Sequence, residues 1–358
     1  MPKVEIHGTS AHDGKELDDA LVINKALAVT GTGFFGLNVV LGNIEGYSGI
    51  DKFGENPVVG NVQFDHIWDK GGQYVPPVTA VAHNVVSDSM ADAGTEVTSG
   101  TATGGSTTSL EDTGTDFSAA GVVVGMMVLD DTHCEIGFVT SVTETVLTIA
   151  AAMRSPSTGN TGLGFAESVS YRIVNDASTG SSVLYVQGLD ILRMTIQEFV
   201  ILNGQTDVLT VKEYGRMYRA RTFAVATSGT IGVVTATTDD VAATVSLQII
   251  DGNNQTLMAV YTVPFGKKGF VLQWWASLSK KQSAAAIVRL RAGILDGVGY
   301  TVQTRAIETT GTSEFTYNYA LPLVNIPGGA DIWVEAQSDS AQADVGVSAG
   351  FDILLIDD

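Results

Sequence analysis

A single cysteine, Cys134, excludes any disulfide within the chain and with it the stapled scaffolds of small secreted proteins. A lone thiol of this kind is most often a small buried apolar residue. The longest strongly apolar run, residues 121–129, is far too short to cross a bilayer. The opening Met-Pro-Lys-Val-Glu lacks the apolar core of a signal peptide, so synthesis and folding in a cytoplasm are expected. Basic residues are scarce: 19 Lys and Arg against 39 Asp and Glu give a net charge of −20, which argues against general nucleic-acid binding. The scarcity is uneven. Residues 201–310 hold 11 basic and 7 acidic residues, the rest of the chain holds 8 and 32, and residues 311–358 contain no Lys or Arg.

What is present is apolar and turn-rich. A 44% hydrophobic content can fill sizeable cores, and 358 residues make two to three domains of ordinary size. Only 16% of residues are charged, while 40 are Gly and Thr, Val, Ser and Ala abound. This composition predicts an all-β, multidomain chain with many tight turns.

Residues 1–75 read as an irregular N-terminal docking arm, with a short helix expected over Asp18–Val29 behind the Asp18-Asp19 pair. Phe34–Leu41 fits a strand or a helical turn equally well. Pro76-Pro77 then interrupts the chain. Val78–Ser87 alternates as a strand, followed by a Gly/Thr/Ser/Ala run over residues 91–109. Val122–Leu129, Cys134–Val142, Val146–Ala150 and Val169–Val174 complete the pattern of a small barrel. This barrel, residues 94–178, interrupts a discontinuous middle β domain, 76–93 and 179–228, in which Val78–Ser87 is expected to pair with Ser182–Gln187, Met194–Leu202 or Thr222–Ala226. From 229 to 358 eight or more strands predict a C-terminal two-sheet sandwich of jelly-roll type. Asp251-Gly252-Asn253-Asn254 is expected as a hairpin turn between Val241–Ile250 and Gln255–Val263.

Two clusters within the arm, Asp51-Lys52-Phe53-Gly54-Glu55-Asn56-Pro57 and Ile67-Trp68-Asp69-Lys70-Gly71-Gly72-Gln73-Tyr74, resemble the "KFGxNP…IWDxGGxY" segment of structural proteins of tailed bacteriophages, marine ones especially. The small barrel resembles an SH3-like module inserted in such proteins. Tyr261-Thr262-Val263-Pro264-Phe265-Gly266-Lys267 is similar to their "YTVPAGK" strand-turn-strand, departing at Phe265. The resemblance implies a non-enzymatic virion structural protein, a head decoration (cement) or fibre-like surface protein attached through its N-terminal arm. Its implied partners are other virion proteins of the shell, neck or tail, and further copies of itself, with a trimer by analogy. The alternative is a receptor- or glycan-binding tail or fibre protein using the C-terminal sandwich on a host-surface glycan.

Candidate chemistry is sparse. Gly31-Thr32-Gly33-Phe34-Phe35-Gly36 matches GxGxxG, but Leu37–Leu41 is too short for the helix that a dinucleotide site needs. It reads as a loop, and no cofactor is expected. His7, His12, His66, His83 and His133 lack the paired spacing of a structural zinc site. The turn acids Asp130-Asp131 and Asp239-Asp240 have the chemistry of weak Ca²⁺ ligands, but ordinary turns explain them without a metal and are the favoured reading. No GxSxG or local His/Asp framework marks a nucleophile, so no catalytic or metal residue is assigned. Trp274-Trp275 and Trp333 have the chemistry of a sugar-binding platform, but adjacent tryptophans on a strand face opposite sides, so at most one lies in the core of a single sheet face. The other is exposed or at an interface, and packing on a partner is favoured over a glycan. Docking onto a partner is assigned to the aromatics Phe53, Trp68 and Tyr74 and to the basic residues Arg216, Arg219 and Arg221, which lie with Lys212 around Tyr214 and Tyr218. Nucleic-acid and membrane partners are not expected.

Overall fold

The computed structural model describes residue 39 and residues 44–358, apart from 151, 158, 160, 177–178, 224–228, 281–284, 296–299, 311–313, 319–324 and 340–344. The helix expected over Asp18–Val29, the glycine motif at 31–36, most of Phe34–Leu41 and both His7 and His12 lie outside the described residues. The chain divides into two compact units, Met1–Gly49 and Ile50–Asp358. In the first, a turn closed by the Tyr47 amide on the Ile44 carbonyl (3.4 Å) leads into a strand.

From Tyr47 on, the elements of the described residues are strands. The first are β1 (Tyr47–Asn56), β2 (Asp65–His66) and β3 (His83–Ser87). A dense group follows: β4 (Thr95–Thr101), β5 (Gly104–Ser106), β6 (Ser109–Glu111), β7 (Met127–Asp130), β8 (Glu135–Val142), β9 (Val146–Ile149) and β10 (Ser170–Asn175). Next come β11 (Val183–Leu189), β12 (Thr195–Ile201), β13 (Val208–Leu209), β14 (Arg216–Phe223), β15 (Val234–Thr238) and β16 (Val245–Ile249). The last are β17 (Val260–Thr262), β18 (Lys267–Lys280), β19 (Ala285–Leu295), β20 (Tyr300–Thr310), β21 (Glu314–Asn318), β22 (Asn325–Ile326), β23 (Asp331–Ser338) and β24 (Val345–Asp357).

The group from β4 to β10 forms one sheet in the order β4-β10-β7-β8-β9-β6-β5. Its two outer strands, β4 and β5, are successive pieces of one run, separated only by Ala102 and Thr103. The Ala102 amide bonds to the Val169 carbonyl (2.8 Å) and the Thr103 amide to that of Glu111 (2.8 Å), which closes the sheet into a small barrel. Leu110, Phe117, Val128, Val139, Leu147, Phe165, Tyr171 and Ile173 fill it. The run at 91–109 therefore contributes strands that its composition concealed. Thr-rich β4 suits a pleated surface but has no buried residue to betray its period.

A second core lies between two sheets, β12-β11-β14 and β13-β3-β15-β16. Here β3 pairs with β13 and β15, not with β11, β12 or β14 as expected. The boundary expected at 228/229 also moves, because β15 and β16 belong with β3 and not with the C-terminal sandwich. Asp92, fully buried, organises this junction. Its carboxylate accepts the amides of Ser181 (2.8 Å), Ile231 (3.0 Å) and Gly232 (2.8 Å) and the Ser87 hydroxyl (2.7 Å). Those bonds tie the entry to the barrel, the exit from it and the start of β15 to one point.

The C-terminal sandwich packs β1-β24-β18-β21, with β22 on β18, against β17-β23-β19-β20, with β2 on β23. β18 pairs with β24 in one sheet and β19 with β23 in the other, while β20 folds back on β19. Residues 251–254 do not close a hairpin: β16 pairs with β15, and β17 pairs with β23. Gly252 does take a positive φ of 78°, but the turn docks on Thr230 and Thr222 and carries the chain between two sheets. Residues 50–74 of the expected docking arm are likewise part of this body. The Val59 amide bonds to the Val345 carbonyl (2.9 Å) and that of Ile67 to Val334 (2.9 Å), placing residues 50–74 along both sheets.

All seven residues of β11 are buried. Leu184 and Val186 face the middle core, Val183 and Tyr185 face the barrel, and Leu189 reaches the C-terminal core. Gly188 is required because a Cβ there would stand 2.1 Å from the Arg216 carbonyl oxygen and 2.6 Å from the Tyr214 ring. Gly188→Ala should therefore cost about 1–3 kcal/mol, the range for an overpacked core, read as a lower urea midpoint with unchanged slope. An unchanged midpoint would show that β14 moves aside freely.

Candidate functional site

A bulge in β14 decides where its arginines go. Against β11 the register passes from Gln187↔Arg219 to Gly188↔Met217, so Tyr218 is the extra residue. Without that insertion Arg216 and Arg219, three apart, would face opposite ways. With it, Arg216, Arg219 and Arg221 share the face opposite the middle core.

Each arginine ties β14 to a different part of the chain. Arg216 makes a two-pronged bond to Asp331, Nε to Oδ1 and Nη2 to Oδ2, both 3.2 Å, and Asp331 also accepts the Thr262 hydroxyl. Arg219 donates to the Asp51 carbonyl on β1, and Arg221 to the Pro156 carbonyl of the barrel (2.7 Å). Lys52, 2% exposed, donates to the Tyr218 carbonyl and lies 5.7 Å from that ring's centre. Burial, and then the charge of Arg219, hold the Lys52 amine well below its ordinary range. Burial also lowers Arg219, with Arg221 adding to the effect. The sequence reading of Arg216, Arg219 and Arg221 as an exposed docking patch is thus corrected: they clamp three parts of one body.

Two of the three aromatics require the same correction. Trp68 and Tyr74 are 1% and 6% exposed and meet edge-on with ring centres 5.4 Å apart. The Trp68 indole donates to the Gly72 carbonyl (3.1 Å) and the Tyr74 hydroxyl to that of Met217 (2.8 Å). Phe53 is half-buried on β1. Trp68 and Tyr74 close the middle core, so neither presents an anchor to a partner.

A cleft of about 660 Å³ opens between the barrel and β14. Arg154 and Arg221 line it with Ser155, Asn254, Gln255 and the rings of Phe138 and Phe223, and among the described residues its lining carries no carboxylate. Such a cleft accommodates an anionic group with an apolar body. Sequence reasoning missed it because Arg154 and Arg221 are far apart along the chain.

The other groups singled out in the sequence are spent on structure. Burial pushes the Cys134 thiol up to about 11, away from a reactive thiolate, and its sulfur faces the Gln197 carbonyl (3.3 Å). Asp130 caps its own turn, accepting the amides of Thr132 (2.8 Å) and His133 (2.9 Å) and pairing with His133 Nδ1 (2.8 Å). Asp240 accepts the amides of Ala242 and Ala243, and Asp239 the Asn84 amide group. Among the described residues no group of three or more His, Cys, Asp or Glu is placed to hold a metal ion. No protein-family model, curated protein or solved structure matches the chain.

His66 and His83 are buried, and burial lowers both to about 4. His66 Nδ1 accepts the Tyr74 amide (2.9 Å); His83 sits between the Val81 carbonyl (3.0 Å) and the Ser246 hydroxyl (2.8 Å). The unfolded state therefore binds more protons below 6.5, and this contribution to stability falls as pH drops from 6.5 towards 4. Asp69, raised to about 7 chiefly by burial, slopes the opposite way through an overlapping window. Comparing His83→Gln with the parent isolates one group. The parent's deficit on acidification from pH 7 to 4 should shrink by up to about 3 kcal/mol in the variant, measured by denaturant unfolding at each pH. Equal acid dependence of both proteins would contradict a neutral buried His83.

Proposed function

We propose that this chain is a non-enzymatic structural protein of a tailed-bacteriophage particle, a head decoration or fibre-like surface component. The observation that carries the reading is the way its charged groups are used. Arg216, Arg219, Arg221, Lys52 and Asp92 join strands from distant parts of the chain into one body, as a rigid building block requires. The "KFGxNP…IWDxGGxY" resemblance supports the virion context, and its residues supply the lacing along both sheets of the sandwich.

With Trp68 and Tyr74 occupied inside, attachment falls to the chain preceding β1. Self-association is assigned to β20 and β21, which end their respective sheets. Edge strands present unpaired backbone groups that a neighbouring copy can cover, and closed cyclic assembly, with a trimer as the proposed state, is one way to do so.

Antibody raised against the chain should label purified particles at a fixed position. Deletion of residues 1–46 should abolish incorporation while leaving the near-ultraviolet circular dichroism of the folded body unchanged. Absence of the protein from purified particles would overturn the reading, and normal incorporation of the deletion variant would overturn the attachment element.

A further inference from the structure

The outer face of the sheet β1-β24-β18-β21 carries an ordered set of side chains that none of the clamps uses. Trp274 points inward at 2% exposure, so its neighbour Trp275 points outward, where it is half-buried. The strand register places three rows on that face. Asp352, Gln273 and Asn318 form one, Gly350, Trp275 and Thr316 the next, and Ser348, Ser277 and Glu314 the third. Gly350 makes room for β1 and for the indole: a Cβ there would stand 2.5 Å from the Lys52 carbonyl oxygen and 2.9 Å from both Cε2 and Cζ2 of Trp275, so the ring rests on the bare backbone of β24. Gln273 donates its side-chain amide to Asp352, which holds both groups in place beside the ring. A bulge at Leu272 turns a further apolar side chain, 41% exposed, towards solvent next to them.

We propose that this face binds a neutral oligosaccharide, with Trp275 as the stacking platform. A pyranose presents an apolar C–H face rimmed by hydroxyls. The C–H groups carry partial positive charge and meet the negative face of an indole. The rim needs mixed donors and acceptors, which the amides of Gln273 and Asn318, the hydroxyls of Thr316, Ser277 and Ser348, and the carboxylates of Asp352 and Glu314 supply. Two carboxylates and no cation on these rows disfavour an anionic sugar. Strands about 4.8 Å apart and same-face residues about 6.8 Å apart give a field of roughly 10 by 14 Å, room for roughly two to three sugar rings. The proposal rests on this face alone and stands whether or not the chain belongs to a particle.

The four tryptophans make the test specific. Trp68, Trp274 and Trp333 are 1%, 2% and 9% exposed, leaving Trp275 as the indole that a solvent quencher or ligand reaches. With the full chain, acrylamide should quench one class of tryptophan in the parent and lose that class in Trp275→Ala. Titration with neutral oligosaccharides of two to six rings, based on glucose, mannose, galactose and N-acetylhexosamine, should give a saturable fluorescence change with at least one series. Trp275→Ala should abolish it. Asn318→Ala, an exposed change on an edge strand, should weaken binding roughly 2- to 10-fold, the equivalent of one hydrogen bond. Circular dichroism identical to the parent's is required of both variants. Inaccessibility of Trp275 to acrylamide, no saturable change with any neutral series, tighter binding of a sulfated oligosaccharide, or parental affinity in folded Trp275→Ala would each overturn the proposal.

Discussion

The constraint on which the rest of this structure depends is that one strand, β11, is buried on both faces. A strand with one solvent face alternates polar and apolar residues, whereas Val183–Leu189 is enclosed throughout. Burying each large side chain contributes about 1.5–3 kcal/mol. More consequential is where those side chains go. The sheet β12-β11-β14 gives Leu184, Val186, Val200 and Met217 to the middle core, Val183, Tyr185 and Phe199 to the barrel contact, and Leu189 and Tyr218 to the C-terminal sandwich. The barrel is joined to this sheet by apolar surface as well as by its two chain connections, with Met127, Leu129 and Ile136 on its side of the contact.

The polar groups follow from that packing. Strands buried on both sides leave few places for charge, so the charges near them are satisfied locally. Glu135 accepts the amides of Leu163 (2.6 Å) and Gly164 (2.9 Å), and Glu198 those of Val211 (2.9 Å) and Lys212 (3.1 Å). These carboxylates hold loops to the sheet in the way that Asp92 holds the barrel's ends. On the cationic side, the surplus of basic residues in 201–310 is partly spent at Arg216, Arg219 and Arg221. A charge count along the sequence cannot distinguish such clamps from a surface patch, because the distinction lies in a single-residue bulge at Tyr218.

Much of the fold was legible because its signal is local. The strands of the sandwich and three of the barrel strands, β8, β9 and β10, were legible directly, whereas the strand expected over Val122–Leu129 is confined to Met127–Asp130 and buried throughout. Trp274-Trp275 had to divide between two faces. The rest was hidden because it is long-range. Nothing near Val85 or Ala236 says that β3 and β15 will pair across some 150 residues. The Thr- and Gly-rich β4 and β5 leave almost no apolar trace. Asp251-Gly252-Asn253-Asn254 has hairpin chemistry, but its flanking strands find better partners elsewhere. The aromatic clusters around Phe53 and Trp68 read as external because their own segment lacks a period, whereas tertiary contacts supply their partners. The outward tryptophan was legible, but the hydroxyls and amides around it come from three strands and required the register.

The central claim is that the sheet β12-β11-β14 fuses the barrel, the middle sandwich and the C-terminal sandwich into one cooperative body. Native-state amide hydrogen exchange as a function of denaturant tests it most directly. The account predicts that the amides of Val183–Leu189 exchange only through global opening, and that the slowest amides of β7 and β23 converge on the same opening free energy and denaturant slope. Exchange of the β7 amides through a separate opening, several kcal/mol below that of β11, would contradict it.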